Sequence, residues 1–152
     1  MLLSQILQPG FVKAPLKARD KRSAIIELVD VLDAGGLILN KDVALQAVLA
    51  REQTRSTGIG SGIAIPHGKC NAVKELVMAL GIAPVPIDFG SVDGKPVGIV
   101  ILLISPLDQT GPHIQALARI SRLMLDEQFR NNLQKAASPQ DVCRLFAEKE
   151  NE

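Results

Sequence analysis

The sequence contains no tryptophan and no tyrosine, and four phenylalanines make up its whole aromatic share of 3%. A core built from it must consist mostly of Leu, Ile, Val and Ala. Cysteine is nearly absent too. Cys70 and Cys143 stand far apart with no second pair beside either, which argues against a disulfide framework or a metal cluster and points to a reducing compartment. Neither sign of charge dominates: 17 basic and 16 acidic side chains leave a formal charge of +1. No global field therefore draws the chain to nucleic acid or to an anionic membrane, and any partner must be recognised by a local surface. Long apolar runs are missing as well. The longest, Val97 to Ile104 with Gly98 inside it, falls far short of the roughly 18 residues that suggest a membrane span. The opening MLLSQILQPG is short and lacks the basic flank of a signal peptide. A cytoplasmic chain without membrane insertion is expected.

What is present is a 152-residue chain that is 47% hydrophobic and 22% charged, enough to close the core of one ordinary domain. Residues 1–152 are expected to form that single domain. Phe11 to Leu16 predicts a short first strand interrupted by Pro15. Ile25, Leu28, Val29 and Leu32 recur at helical spacing, and Gly35-Gly36 supplies a stop. Asn40 is the expected N-cap of a second helix through Val43, Ala44, Ala47, Val48 and Leu49, reaching Arg51 and Glu52 near its end. Leu76 to Ile82 reads as a strand, Pro84 to Gly90 as an irregular or edge segment, and Val92 to Lys95 as a turn. Val97 to Ile104 has the unbroken aliphatic character of a strand covered on both faces. Thr110-Gly111-Pro112 introduces a helix with Ile114, Leu117, Ile120, Leu123 and Met124 on its apolar side. Phe129 and Leu133 fit a further short helix, and Ser138-Pro139 opens the last one. Its tail, Glu148 to Glu152, is expected to fray. Strands separated by helices predict a three-layer α/β/α sandwich around a mixed sheet.

The stretch Thr57-Gly58-Ile59-Gly60-Ser61-Gly62-Ile63-Ala64-Ile65-Pro66-His67-Gly68 carries the chemistry. It lacks the Lys-Ser/Thr ending of a phosphate-binding loop, and Gly60-Ser61-Gly62 does not complete the spaced dinucleotide fingerprint. Pro66 restricts the chain just before His67, and Gly68 leaves one side of the ring uncrowded. A neutral histidine offers one ring nitrogen as a nucleophile near neutral pH. Phosphoryl transfer requires such a nucleophile, with positive or N–H groups around the moving oxygens. His113, in the first turn of a predicted helix, lies near the positive helix end and its unpaired N–H groups. Arg51 can supply a guanidinium. Each residue also has a plainer reading: His67 as a loop histidine, His113 as a helix-capping or partly buried residue, Arg51 as a surface ion-pair partner. Ser56 and Thr57 can contact phosphate or simply stabilise the loop. A metal site built on the two histidines lacks an evident third ligand.

With Arg51-Glu52, the stretch Ser56 to Gly68, and His113 followed by Ile114-Gln115-Ala116-Leu117-Ala118, the chain resembles the IIA domains of the phosphoenolpyruvate-dependent phosphotransferase system. The likeness is to their fructose/mannitol class, and within it to the nitrogen-regulatory IIA proteins, over essentially the whole length. The resemblance implies a phosphocarrier in which His67 accepts a phosphoryl group from an HPr-like phosphohistidine protein of the NPr kind, with no cofactor beyond the covalent phosphohistidine. By the same resemblance Arg51 and His113 flank and stabilise that group, and the fold is an α/β sandwich with a mixed sheet. Regulatory members act on targets such as potassium transporters or sensor kinases, whereas transport members pass the group to a IIB domain and then to a sugar. The absence of fused IIB and IIC segments in this chain weakens the transport reading without excluding it. A module that binds partners independently of His67 is the alternative from a different class. Direct transfer between two imidazoles requires His67 in a shallow depression with an apolar rim, to which Ile59, Ile63 and Ile65 are candidates.

Overall fold

The aliphatic run read as a strand covered on both faces is the centre of the sheet. In the computed structural model, which describes residues 2–152, it forms β6 (Val97–Ser105), in which Gly98 is the one residue that is not buried. The other strands are β1 (Val12–Lys13), β2 (Gly58–Gly60), β3 (Ile63–Ala64), β4 (His67–Lys69) and β5 (Val77–Ile87). The sheet runs in the order β1-β5-β6-β3-β2, with β4 also on β6. β5 lies antiparallel to β6, while β1 is parallel to β5, so the sheet is mixed as expected. β3 and β4 occupy one edge of β6 in the same register: Ile63 faces Ile99, and His67 faces Leu103. They are one strand in all but the ladder, broken at Ile65-Pro66, where proline has no N–H to donate.

Alternation along β5 and β6 sends successive side chains to opposite faces. Val77, Ala79, Val100, Leu102 and Ile104 pack under α2 (Lys21–Ala34) and α3 (Lys41–Thr54). Met78, Leu80, Ile99, Ile101 and Leu103 pack with residues of α1 (Leu3–Ile6), α4 (Thr110–Leu123), α5 (Glu127–Gln134) and α6 (Pro139–Glu150). Helices thus cover both faces, which is the predicted three-layer arrangement. The caps read from the sequence are in place. Asn40 accepts the N–H of Val43 at 3.1 Å, and Ser138 accepts that of Asp141 at 3.1 Å. No described helix is long and apolar enough to cross a membrane.

Several expectations need correction. The first strand is only Val12–Lys13, preceded by a 3₁₀ turn over Pro9–Phe11. The ladder stops before Pro15, which has no N–H, although Leu16 N–H again reaches the carbonyl of Ile82. β5 does not end at Ile82 but continues through Pro84 and Pro86 to Ile87. Its pairing with β6 skips the residues between Ile82 and Ile87, so the two prolines sit where no ladder bond is required. The N-cap of α4 is Gln109, which puts Thr110-Gly111-Pro112 inside the helix. Ile114 points outward, at 59% exposure; the buried stripe of α4 is His113, Ala116 and Ile120. The tail does not fray at Glu148. Glu150 is the reason, because its buried carboxylate accepts Leu3 N–H at 2.7 Å, Ser4 N–H at 2.8 Å and Arg119 Nε at 2.7 Å. That carboxylate ties the end of α6 to α1, an element too short for periodicity to reveal.

Candidate functional site

The glycine-rich stretch builds a hairpin. Gly60, Ser61 and Gly62 all have positive φ, at 96°, 57° and 80°, so Ser61 and Gly62 form the tight turn whose twist suits two short antiparallel strands. Asp93 accepts the N–H of Ser61 at 3.0 Å and holds the tip. The returning strand then runs along β6 and delivers His67 at its continuation.

Gly68 serves a different purpose from the one expected. A Cβ at this position would lie 3.1 Å from the backbone of Ala47 and Val48, so the glycine admits α3 against β4 rather than freeing space around the imidazole. Arg51, one helical turn beyond Ala47, is thereby carried toward His67. Its Nη1 donates to the carbonyl of Arg55 at 2.8 Å, which holds the guanidinium at the end of α3 with its other N–H groups available. The surface ion pair considered for it is not made: no carboxylate partners Arg51 among the described residues.

His67 and Arg51 line a depression of about 400 Å³. Ser56 and Thr57 lie on it, as do Arg55 and Ser121, and its apolar wall includes Ile59, Ile65, Val92 and Leu117. Of the three isoleucines proposed for the rim, only Ile59 is substantially exposed, at 43%. Ile63 and Ile65 are buried, because strand alternation and the bend at Pro66 turn them into the sheet's own packing. Val92 and Leu107 are exposed as well.

The loop hydroxyls are already engaged. Ser56 Oγ donates to the carbonyl of Phe89 at 2.5 Å and accepts Gly58 N–H at 3.0 Å. Thr57 donates from its hydroxyl to Glu52 Oε1 at 2.5 Å and from its N–H to Glu52 Oε2 at 2.8 Å. Both residues hold the loop in shape while lining the depression. The sequence gives Glu52 no role of its own beside Arg51, yet its side chain is 4% exposed and also meets Lys21 Nζ at 3.2 Å.

His67 Nδ1 lies 2.8 Å from the carbonyl oxygen of Ile65. A carbonyl can only accept, so Nδ1 carries the proton and Nε2 keeps its lone pair in the neutral ring. Burial holds the pKa of His67 below the usual imidazole value, against the pull of the Ile65 carbonyl, with the Arg51 charge also lowering it and Glu52 raising it. The ring is thus kept in its nucleophilic form near neutral pH.

His113 stands beside it, the ring centroids 5.5 Å apart, and is 5% exposed. The free N–H groups of this helix start do not include that of His113, which bonds to the carbonyl of Gln109, and Pro112 has none. What this helix start offers is the ring itself, whose Nδ1 lies 2.7 Å from Ser105 Oγ. Burial first, then the charges of His67 and Lys69, push its pKa down to about 4. Between pH 6.5 and about 4 the unfolded chain then binds the proton and the folded chain does not, so stability falls as pH is lowered through that window. At about 1.4 kcal/mol per pKa unit, wild type should lose on the order of 2 kcal/mol more than His113→Gln between pH 7 and 4.5. Urea unfolding at the two pH values measures this, and equal losses in both proteins would contradict the buried neutral ring.

The sequence profile of the family described as "Phosphoenolpyruvate-dependent sugar phosphotransferase system, EIIA 2" matches residues 5–149. Among curated relatives, the nitrogen regulatory protein of Klebsiella oxytoca is 32% identical over 149 residues, covering 96% of this chain and 90% of that protein. The fructose-specific EIIABC component of Bacillus subtilis is 32% identical over 146 residues, covering 96% of this chain, which spans only 23% of that longer protein. The crystal structure of the nitrogen regulatory protein IIA-Ntr from Neisseria meningitidis superposes with a TM-score of 0.88 at 27% identity, over 95% of this chain and 98% of that one.

Proposed function

The chain belongs to the EIIA 2 family of the phosphoenolpyruvate-dependent sugar phosphotransferase system, and from that premise we propose that it is a histidine phosphocarrier of the nitrogen-regulatory kind. Its phosphoryl donor is an HPr-like phosphohistidine protein of the NPr type. The observation that carries the reading is the state of His67: Nδ1–H is committed to the Ile65 carbonyl at 2.8 Å, which leaves the Nε2 lone pair at an open depression beside Arg51.

In the transfer, the Nε2 lone pair attacks the phosphorus of the donor's phosphohistidine. A P–Nε2 bond forms, the donor's P–N bond breaks, and its electron pair returns to the donor ring. Nδ1–H stays on the carbonyl, which disperses the positive charge that develops on the His67 ring. Arg51 offers several donors to the phosphoryl oxygens, and the His113 ring lies 5.5 Å from that of His67, centroid to centroid. Serine and threonine hydroxyls do not supply the nucleophile, since Ser56 and Thr57 are spent on the loop and Ser121 donates to the carbonyl of Leu117. The shallow depression suits a protein donor, because two imidazoles must meet in line.

Phosphorylation adds about −1.5 to −2 charges, by analogy with hydroxyl phosphates, to a site rimmed by Ile59 and Val92. That change alters which partner surface the depression accepts. Regulatory targets such as potassium transporters or sensor kinases fit such a switch, and the likeness to nitrogen regulatory proteins supports it. The likeness to a fructose-specific component supports a second reading, in which the group moves on to a IIB domain. The two free cysteines agree with action in the cytoplasm.

The test is reconstitution with labelled phosphoenolpyruvate and the upstream carriers. One labelled phosphoryl group per chain is the expected result, followed by capture of proteins that distinguish the two forms. Absence of uptake, with the carriers shown to be charged, would overturn the proposal; restored sugar phosphorylation with a matching IIB/IIC pair would favour the transport reading.

A further inference from the structure

We infer that Ser105 is a positioning residue that fixes the tautomer of His113, so that this ring presents an Nε2–H donor, rather than a lone pair, to the phosphoryl group on His67. The inference rests on the phosphocarrier reading above for its consequence, and on geometry alone for the tautomer.

Ser105 ends β6 and is the one polar side chain in an otherwise aliphatic strand. It is 0% exposed. Its backbone is held by the ladder opposite Lys69 and by its carbonyl, which accepts Cys70 N–H at 3.0 Å. Its hydroxyl has one hydrogen-bond partner among the described residues, His113 Nδ1 at 2.7 Å. Two arrangements are open to the pair. If Nδ1 carried the proton and donated it, the hydroxyl hydrogen would have no acceptor in a fully buried place. If the hydroxyl donates to a bare Nδ1, both groups are satisfied. A neutral imidazole has one ring proton, which then resides on Nε2.

His67 is held in the opposite state by the opposite kind of partner. A carbonyl at its Nδ1 demands the proton there and frees Nε2; a hydroxyl at the Nδ1 of His113 supplies a proton and places the ring's own on Nε2. Two imidazoles 5.5 Å apart are thereby divided into a nucleophile and a donor without either needing to be charged. In the other tautomer of His113, a lone pair would face the phosphoryl oxygens and repel them. Ser105 itself exchanges no proton during transfer.

Long-range proton–nitrogen correlation spectra of the folded chain at pH 7.5, with ring nitrogens labelled, read the tautomer directly. Wild type should show His113 protonated on Nε2 and His67 on Nδ1. Ser105→Ala should move His113 toward a mixture and slow phosphoryl uptake about tenfold, a fraction of the loss seen when a donor to a developing anion is removed outright. The loss should fall on kcat rather than on the donor's KM, and Ser105→Thr, which keeps the hydroxyl, should restore both signals. An Nδ1–H tautomer of His113 in wild type overturns the inference without reference to any variant. An unchanged tautomer and rate in Ser105→Ala overturn it as well. A wild-type chain that accepts no phosphoryl group would instead sink the phosphocarrier reading, while the spectra still decide the tautomer.

Discussion

His67→Ala is expected to take up no phosphoryl group from a charged HPr-like donor, while the domain unfolds within about 1 kcal/mol of wild type. Nothing nearby can replace the lost nitrogen. His113 is 5% exposed and its Nδ1 is engaged by Ser105, and Ser56, Thr57 and Ser121 spend their hydroxyls on Phe89, Glu52 and Leu117. The small structural cost follows from the local character of the contact His67 makes, a hydrogen bond to a carbonyl two residues away. Intact-mass measurement at alkaline pH, where phosphohistidine survives, checks the uptake, and urea unfolding checks the fold. Labelling of His67→Ala at the wild-type rate would show that the phosphoryl group resides elsewhere.

The second large effect is expected at Glu52, which touches no reacting atom. Glu52→Ala should destabilise the domain by about 3 kcal/mol or more, because it removes the acceptor of two buried donors on Thr57 and strands Lys21. Breaking one member of a buried, hydrogen-bonded charge cluster has costs of this size. The loss should also reach the site. The loop that begins at Thr57 carries the hairpin and then His67, and Glu52 directly follows Arg51 on α3. Phosphoryl uptake should therefore fall along with stability. Glu52→Gln, which keeps one acceptor, should lie between. A wild-type melting midpoint in Glu52→Ala would refute the assigned role of this carboxylate.

The parts legible in the sequence are those written in periodicity and turn chemistry. The aliphatic run of β6, the spacing of Ile25, Leu28, Val29 and Leu32, the caps at Asn40 and Ser138, and the glycine turn before His67 each follow from local rules. Local rules also mark what was missed. Glu52 and Glu150 look like solvated helix residues, and only the folded chain brings Thr57 to one and the backbone of Leu3 and Ser4 to the other. In sequence Gly68 points to the ring beside it, whereas the helix that presses on its backbone comes from residues about twenty positions earlier. Ile114 fits an apolar spacing in sequence, but the rotation of α4 is set by burying His113 and Ala116, which leaves Ile114 at the surface. Ser105 carried one signal, a polar residue closing a run of aliphatics, and its meaning required His113 to be placed beside it.

The claim at the centre of this account is that a carbonyl-held Nδ1–H makes the Nε2 of His67 the phosphoryl acceptor. Phosphorus–nitrogen correlation in the ring-labelled, phosphorylated chain tests it most directly. A phosphoryl group on Nε2 of His67, with Nδ1 still protonated, is the expected result; a phosphoryl group on Nδ1, or on either nitrogen of His113, would contradict it.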